Sequence, residues 1–221
     1  MKSFSKRTIL ITKTLLAILV VSGIKFFFAQ TFPELYTNEL GVVLVDMIAY
    51  VPALLLFFAG WIQVYNMDFK VNSDFLFVPF YALLYFMLLI AVKAIVVHSK
   101  GYDVLQFIGT LKTLSSRLKT QYLSFLISGP ILEELFYRGL VLAEFRKKFN
   151  ANWAILLSSI LFAIAHVDVG YSFIDFISIF VLGLIFSYYV TRLKNILWCI
   201  YFHLCFNSMN YIFSYFLNDF L

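Results

Sequence analysis

The sequence predicts an all-α, polytopic transmembrane bundle of about seven spans, forming one membrane domain over residues 1–221. Three observations predict it. The chain is 62% apolar and only 13% charged, whereas ordinary globular chains are about half apolar and about a quarter charged. Its apolar residues fall into long runs. Its basic residues gather at the ends of those runs, which is how membrane helices are oriented. A soluble core and its surface have no use for that much hydrocarbon, so the composition points to the bilayer as solvent.

Measured against the roughly 20 residues needed to cross hydrocarbon, seven runs qualify. They are about 9–29, 41–63, 75–97, 121–142, 151–167, 172–191 and 196–217. The fifth is short and the seventh is long enough to bend. The first follows Lys2, Lys6 and Arg7, as a signal peptide would, but Lys13 and Lys25 interrupt it and it runs long. It is read as an uncleaved span. No internal repeat, low-complexity tract or linker divides the chain.

Lys and Arg placement sets the orientation. With the N-terminus inside, nine basic residues lie on the inner side: Lys2, Lys6, Arg7, Lys70, Arg146, Lys147, Lys148, Arg192 and Lys194. Four lie outside: Lys100, Lys112, Arg117 and Lys119. The excess predicts a cytoplasmic N-terminus. All four outer charges fall in the 98–120 connection. There Val104, Leu105, Ile108, Leu111, Leu114 and Leu118 recur every three or four positions, predicting a helix at the membrane surface near 102–119.

The net charge of +5 is explained by those segment ends. No basic face interleaved with aromatics exists, so nucleic acid is not an expected partner. Cys199 and Cys205, six positions apart in one apolar run, fit neither a redox pair nor a zinc knuckle. They read as small apolar fillers.

One stretch breaks the hydrocarbon pattern. "GPILEELFYRG", 129–139, carries Glu133, Glu134 and Arg138 inside the fourth run. A charge at mid-bilayer costs about 2.5–3.5 kcal/mol on insertion scales, so such residues are functional candidates. Arg138 lies four residues after Glu134 and shares its helix face, where the two can pair. Glu133 points about 100° away and is left to face another helix. Adjacent carboxylates do not both ionise cheaply in a low dielectric, which suits a general acid or base near neutral pH. An ion-pair cluster that only joins helices is equally open at this point. Pro130 removes one helix hydrogen bond before the glutamates, predicting a kink or late helix start that opens a cavity.

Two further spans deliver polar groups. The fifth ends "LFAIAHVD", with Phe162 and His166 one turn apart. The seventh reads "WCIYFHLCFNSMN", with His203 and Asn207 one turn apart. Glu, two His and Asn from three spans approach the set that amide hydrolysis needs: a base, an orienting imidazole and donors for an oxyanion. Asp46, Lys93 and His98 have no partner assignable from sequence. Asp168 and Asp175 flank the turn after His166 and read as interface residues, and Asn195 begins the last span.

"EELFYR" fits EExxxR, "FAIAH" fits FxxxH and "HLCFN" fits HxxxN, in that order in the chain. In these motifs the chain resembles the CAAX-protease and bacteriocin-processing (Abi) family of intramembrane endopeptidases, over a core of about 121–210. The resemblance implies an enzyme that hydrolyses a peptide bond in a membrane-presented peptide, either a prenylated C-terminus or a small leader- or bacteriocin-type peptide. It implies Glu133 as the base that activates water, with His166 helping to hold it. His203 and Asn207 would donate to the oxyanion, and Glu134 with Arg138 would support Glu133. Phe162 would pack.

The family has been regarded both as metalloproteases and as glutamate proteases. Glu133, His166 and His203 could make a three-ligand zinc site with one open position, but the HExxH pair of familiar zinc peptidases is absent. No cofactor is the favoured expectation. The expected setting is a multi-pass protein of a bacterial cell membrane, with membrane lipid and a peptide or lipidated peptide as partners. A non-catalytic bacteriocin-immunity or membrane partner protein is the alternative.

Overall fold

The computed structural model describes residues 2–65, 71, 73–101, 124–167 and 173–219, with side chains over 15–55, 71, 73–101, 126–167 and 173–213. Among the described residues every regular element is helical. Seven helices occupy the seven predicted runs: α1 Lys2–Thr31, α2 Glu39–Tyr65, α3 Val78–Ser99, α4 over 124–146, α5 Ala151–Ala165, α6 Phe173–Leu193 and α7 Ile196–Asp219. Short 3-10 turns, Pro33–Thr37 and Ser73–Phe77, lead into α2 and α3. The surface helix expected near 102–119, like Asp168, lies outside the described residues.

Local chemistry fixes the ends. Asn38 Oδ1 accepts the Gly41 N–H at 2.7 Å, and Asn150 Oδ1 accepts the Trp153 N–H at 3.0 Å. Each satisfies a donor that the first helical turn leaves over. Lys194 adopts φ 52° between α6 and α7 and its N–H returns to Val190 O at 2.9 Å. That is a left-handed stop of the kind glycine usually supplies. Asn195 then starts α7 by accepting the Leu197 N–H at 3.0 Å, as the sequence predicts.

Short connections make α4–α5, α5–α6 and α6–α7 antiparallel hairpins. The closest of these contacts is α5 on α6. Its seam is small and buried: Ser158, Ser159 and Ser187 have no exposed surface, and a Cβ on Gly183 would lie 3.2 Å from the Ser159 backbone. Small residues let membrane helices approach without a hydrophobic drive between them. Ser158 Oγ donates to Tyr137 O at 3.1 Å, tying α5 to α4. Aromatic contacts fill the rest: Tyr50 on Phe136 at 5.5 Å, Tyr137 on Phe162 at 5.2 Å and Tyr189 stacked on Trp198 at 4.1 Å.

The outward surface is apolar. Leu16, Leu19 and Phe26 of α1 and Leu84, Met87 and Leu88 of α3 are all more than half exposed. In water such a surface would drive aggregation, whereas lipid is its solvent. Ser73–Ser99, Phe173–Leu193 and Ile196–Phe213 are long and apolar enough to cross a membrane, with shorter apolar helices at Leu15–Thr31 and Ala151–Ala165. The chain is a helical membrane protein.

Two charges with no partner assignable from sequence have one here. Asp46 takes Lys25 Nζ at 2.8 Å, joining α1 to α2. Lys93 takes Asp175 at 2.7 Å, joining α3 to α6, beside a Tyr85 hydroxyl that donates to Ser178 O at 2.6 Å. Both pairs cross between helices, so no periodicity within one segment encodes them. The α5–α6 seam makes a direct prediction. Gly183→Leu should lower the thermal unfolding midpoint in detergent by an amount worth about 1–3 kcal/mol, the usual cost of overpacking. Gly183→Ala should cost less.

Candidate active site

Motif one lies in α4, whose winding changes along its length. Ser124–Ser128 is π-helical, Gly129–Glu134 is α-helical, Leu135–Val141 is π-helical again and Leu142–Arg146 returns to α. Pro130 sits at the first junction, where its missing N–H falls at a change of hydrogen-bond pattern. The predicted local break is therefore a change of winding. The second π segment begins directly after the glutamates and contains Arg138. Widened turns of this kind recur at functional sites.

The two adjacent glutamates go to different helices. Glu134 is wholly buried, as is Arg138. Arg138 Nη1 donates to Glu134 Oε1 at 3.2 Å, and Nε lies 3.2 Å from Oε2 as an ion-pair contact without hydrogen-bond alignment. Oε1 also accepts from His203 Nδ1 of α7 at 2.9 Å. The guanidinium lies 4.0 Å from the Phe162 ring of α5 and 5.1 Å from the Phe186 ring of α6. Its Nη2 reaches Gly183 O at 3.4 Å. One ion pair thus touches α4, α5, α6 and α7.

Glu133 turns instead to α5. Its Oε2 lies 3.2 Å from His166 Nε2. These side chains are 16% and 24% exposed, against 0% for Glu134 and Arg138, so this pair is open to its surroundings and the other is sealed. His166 caps α5 at its C-terminal end, and its Nδ1 contacts Phe162 O at 2.7 Å. A carbonyl only accepts, so Nδ1 carries a proton. The neutral ring would then turn a lone pair at Nε2 toward Glu133. A hydrogen bond at this contact needs one further proton held between the imidazole and the carboxylate, and Glu133 and His166 are placed to share it.

The spacing FxxxH gains a physical meaning here. The Phe162 carbonyl orients the His166 ring, whose centroid lies 4.4 Å from that of Phe162, while the same phenyl ring lies against Arg138. Phe162 packs, as expected, and also links the two halves of the site. His203 and Asn207 are both buried, one turn apart on α7. His203 is brought to Glu134 rather than to Glu133. The structure further adds Phe186 and Gly183, which carry no signal in the sequence beyond their place in an apolar run. Lys25 and Asp46 are other additions, close enough to Glu133 for the lysine charge to act on it.

Among the described residues no three His, Cys, Asp or Glu side chains converge on a common point suited to a metal ion, and His203 Nδ1 is engaged by Glu134. Three such ligands are the minimum for a catalytic zinc.

The two glutamates should respond differently to mutation. Arg138→Met leaves Glu134 buried without its cation and should cost about 3–5 kcal/mol, as breaking a buried pair does. Glu133→Gln, at a partly exposed position, should cost under about 1 kcal/mol. Thermal unfolding of both variants in the same detergent separates them.

Comparison with known proteins bears on the same segment. Residues 116–209, under half of the chain, match the family model described as type II CAAX prenyl endopeptidase Rce1-like. A curated protein of Bacillus subtilis (strain 168), named "Putative membrane peptidase YdiL", is 33% identical over 82 residues. That match spans 37% of this chain and only 32% of the relative's length. No solved structure matches the chain. The matched residues contain all three motifs, so over this segment the chain is similar to the CAAX-protease and bacteriocin-processing family that its motifs resemble.

Proposed function

We propose that the protein is an intramembrane endopeptidase that hydrolyses a peptide bond with a water activated by Glu133 and His166. The observation that carries this reading is the Glu133–His166 contact at 3.2 Å, made between two helices and left partly exposed while the neighbouring Glu134–Arg138 pair is sealed. A structural glue would be satisfied by the sealed pair alone. An acid–base unit has to meet water.

The chemistry follows from the groups. Glu133, as carboxylate, takes a proton from water while His166 Nε2–H holds the pair in register. The water oxygen bonds to the peptide carbonyl carbon, and the carbonyl oxygen becomes an oxyanion. Asn207 donates to it through its amide N–H. His203, held at Nδ1 by Glu134, donates through an Nε2–H. The protonated Glu133 then gives its proton to the leaving amine, and the C–N bond breaks. Glu134 and Arg138 touch no reacting atom and act by fixing His203 and α4. The substrate is a membrane-presented peptide, either prenylated at its C-terminus or a small leader- or bacteriocin-type peptide. The protein works in a bacterial cell membrane with its N-terminus in the cytoplasm and needs no metal.

Glu133→Gln should reduce cleavage by about 10²–10⁴-fold, the usual share of general base catalysis. Asn207→Ala should reduce kcat by about 10²–10³-fold, as loss of an oxyanion donor does. The measurement compares small secreted and lipidated peptides, by mass spectrometry, in cells carrying the native or the Glu133→Gln form. Peptide processing or host protection that survives Glu133→Gln would identify a binding or immunity protein instead. Purified protein should keep its activity in a strong chelator, and activity lost there and restored by zinc would overturn the metal-free mechanism.

A further inference from the structure

The charged pairs inside this bundle are not spread evenly along it. Lys25 sits six residues before the end of α1 at Thr31, and its partner Asp46 seven residues after the start of α2 at Glu39. Lys93 sits six residues before the end of α3 at Ser99, and its partner Asp175 in the first turn of α6. At 1.5 Å per residue these groups lie within about 10 Å of one end of their helices. It is the same end in each case, because α1 and α3 run toward it while α2 and α6 run away from it.

His166 belongs to that end too. It closes α5, a helix of 15 residues, which spans about 22 Å of a hydrocarbon layer about 30 Å thick. Asn150 caps the other end of α5, beside Lys147 and Lys148. The opposite end of the bundle is marked by its basic residues. The 142–146 turn of α4 packs against α1, and the connections on that side carry Arg146, Lys147, Lys148, Arg192 and Lys194. Basic residues mark the cytoplasmic side.

We infer that the Glu133–His166 site is reached from the membrane face opposite the N-terminus, the extracytoplasmic face, and that its substrate is a peptide already exported to that face. Lys25, 34% exposed, and Lys93 with Asp175, 24% and 23% exposed, form the polar approach to it. The substrate half of this inference rests on the hydrolase reading. It selects an exported leader- or bacteriocin-type peptide over a prenylated one made on the cytoplasmic side. The reaction that supplies the substrate is then membrane translocation of the peptide.

The test reads sidedness without catalysis. In a background lacking both cysteines (Cys199→Ala, Cys205→Ala), Val167→Cys places a thiol beside His166 at a position 60% exposed, and Phe149→Cys places one in the α4–α5 connection. Neither changes a charge that sets topology. A membrane-impermeant maleimide added to intact bacterial cells should label Val167→Cys at least tenfold faster than Phe149→Cys, and both should label equally after permeabilisation. Failure of Val167→Cys to label in intact cells overturns the inference, whatever Phe149→Cys does. Should the cysteine-free chain not accumulate, Cys205→Ala alone serves, because Cys199 is fully buried. Labelling needs no activity, so this result and the loss of cleavage in Glu133→Gln fail independently.

Discussion

A carboxylate with no exposed surface cannot stand alone in a helical bundle surrounded by lipid. Glu134 meets that constraint by being matched to Arg138 one turn later and to His203 on α7. Desolvating two charges costs several kcal/mol per ion, which mutual attraction offsets only when the remaining polar atoms are occupied. Arg138 is met by Glu134, by the Gly183 carbonyl and by the faces of Phe162 and Phe186, while its Nε faces Glu134 Oε2 as an ion-pair contact without a hydrogen bond. The arrangement holds the four C-terminal helices at fixed separations. Small residues of the α5–α6 seam are what let Gly183 come close enough to serve.

That fixed frame gives the neighbouring Glu133 its freedom. Two consecutive residues on a helix point about 100° apart, so once Glu134 is committed inward to Arg138 and His203, Glu133 is committed to α5. There it meets an imidazole whose other nitrogen is already claimed by the Phe162 carbonyl. One phenylalanine therefore serves both glutamates, with its ring on the arginine and its carbonyl on the histidine. The division between a sealed pair and a reachable pair is the feature on which the chemistry proposed for the site depends.

The first three helices carry no motif, yet they are not mere filler. Lys25 and Asp46 bring a cation near Glu133 from α1 and α2, and Lys93 reaches Asp175 from α3. Each pair offsets the cost of holding a charge among apolar helices. Each also leaves part of its surface accessible at the end of the bundle where His166 lies. The family match begins at residue 116, so these contributions belong to the part of the chain that resemblance does not describe.

By itself the sequence determined the helices and the identity of the polar set. Long apolar runs have one stable backbone solution in lipid, because every peptide group must be satisfied within its own segment. Thus seven runs became seven helices with ends close to those expected. The spacing of Glu134 and Arg138 fixed their pairing in the same way, since residues four apart share a helix face. Partners between helices are a different matter. Which glutamate meets which histidine, that Phe162 joins both halves, and that Asp46 and Lys93 have counter-charges were decided by how the helices rotate and pack. That packing depends on small residues such as Ser159 and Gly183, whose importance lies in the space they leave and not in any chemistry a sequence displays.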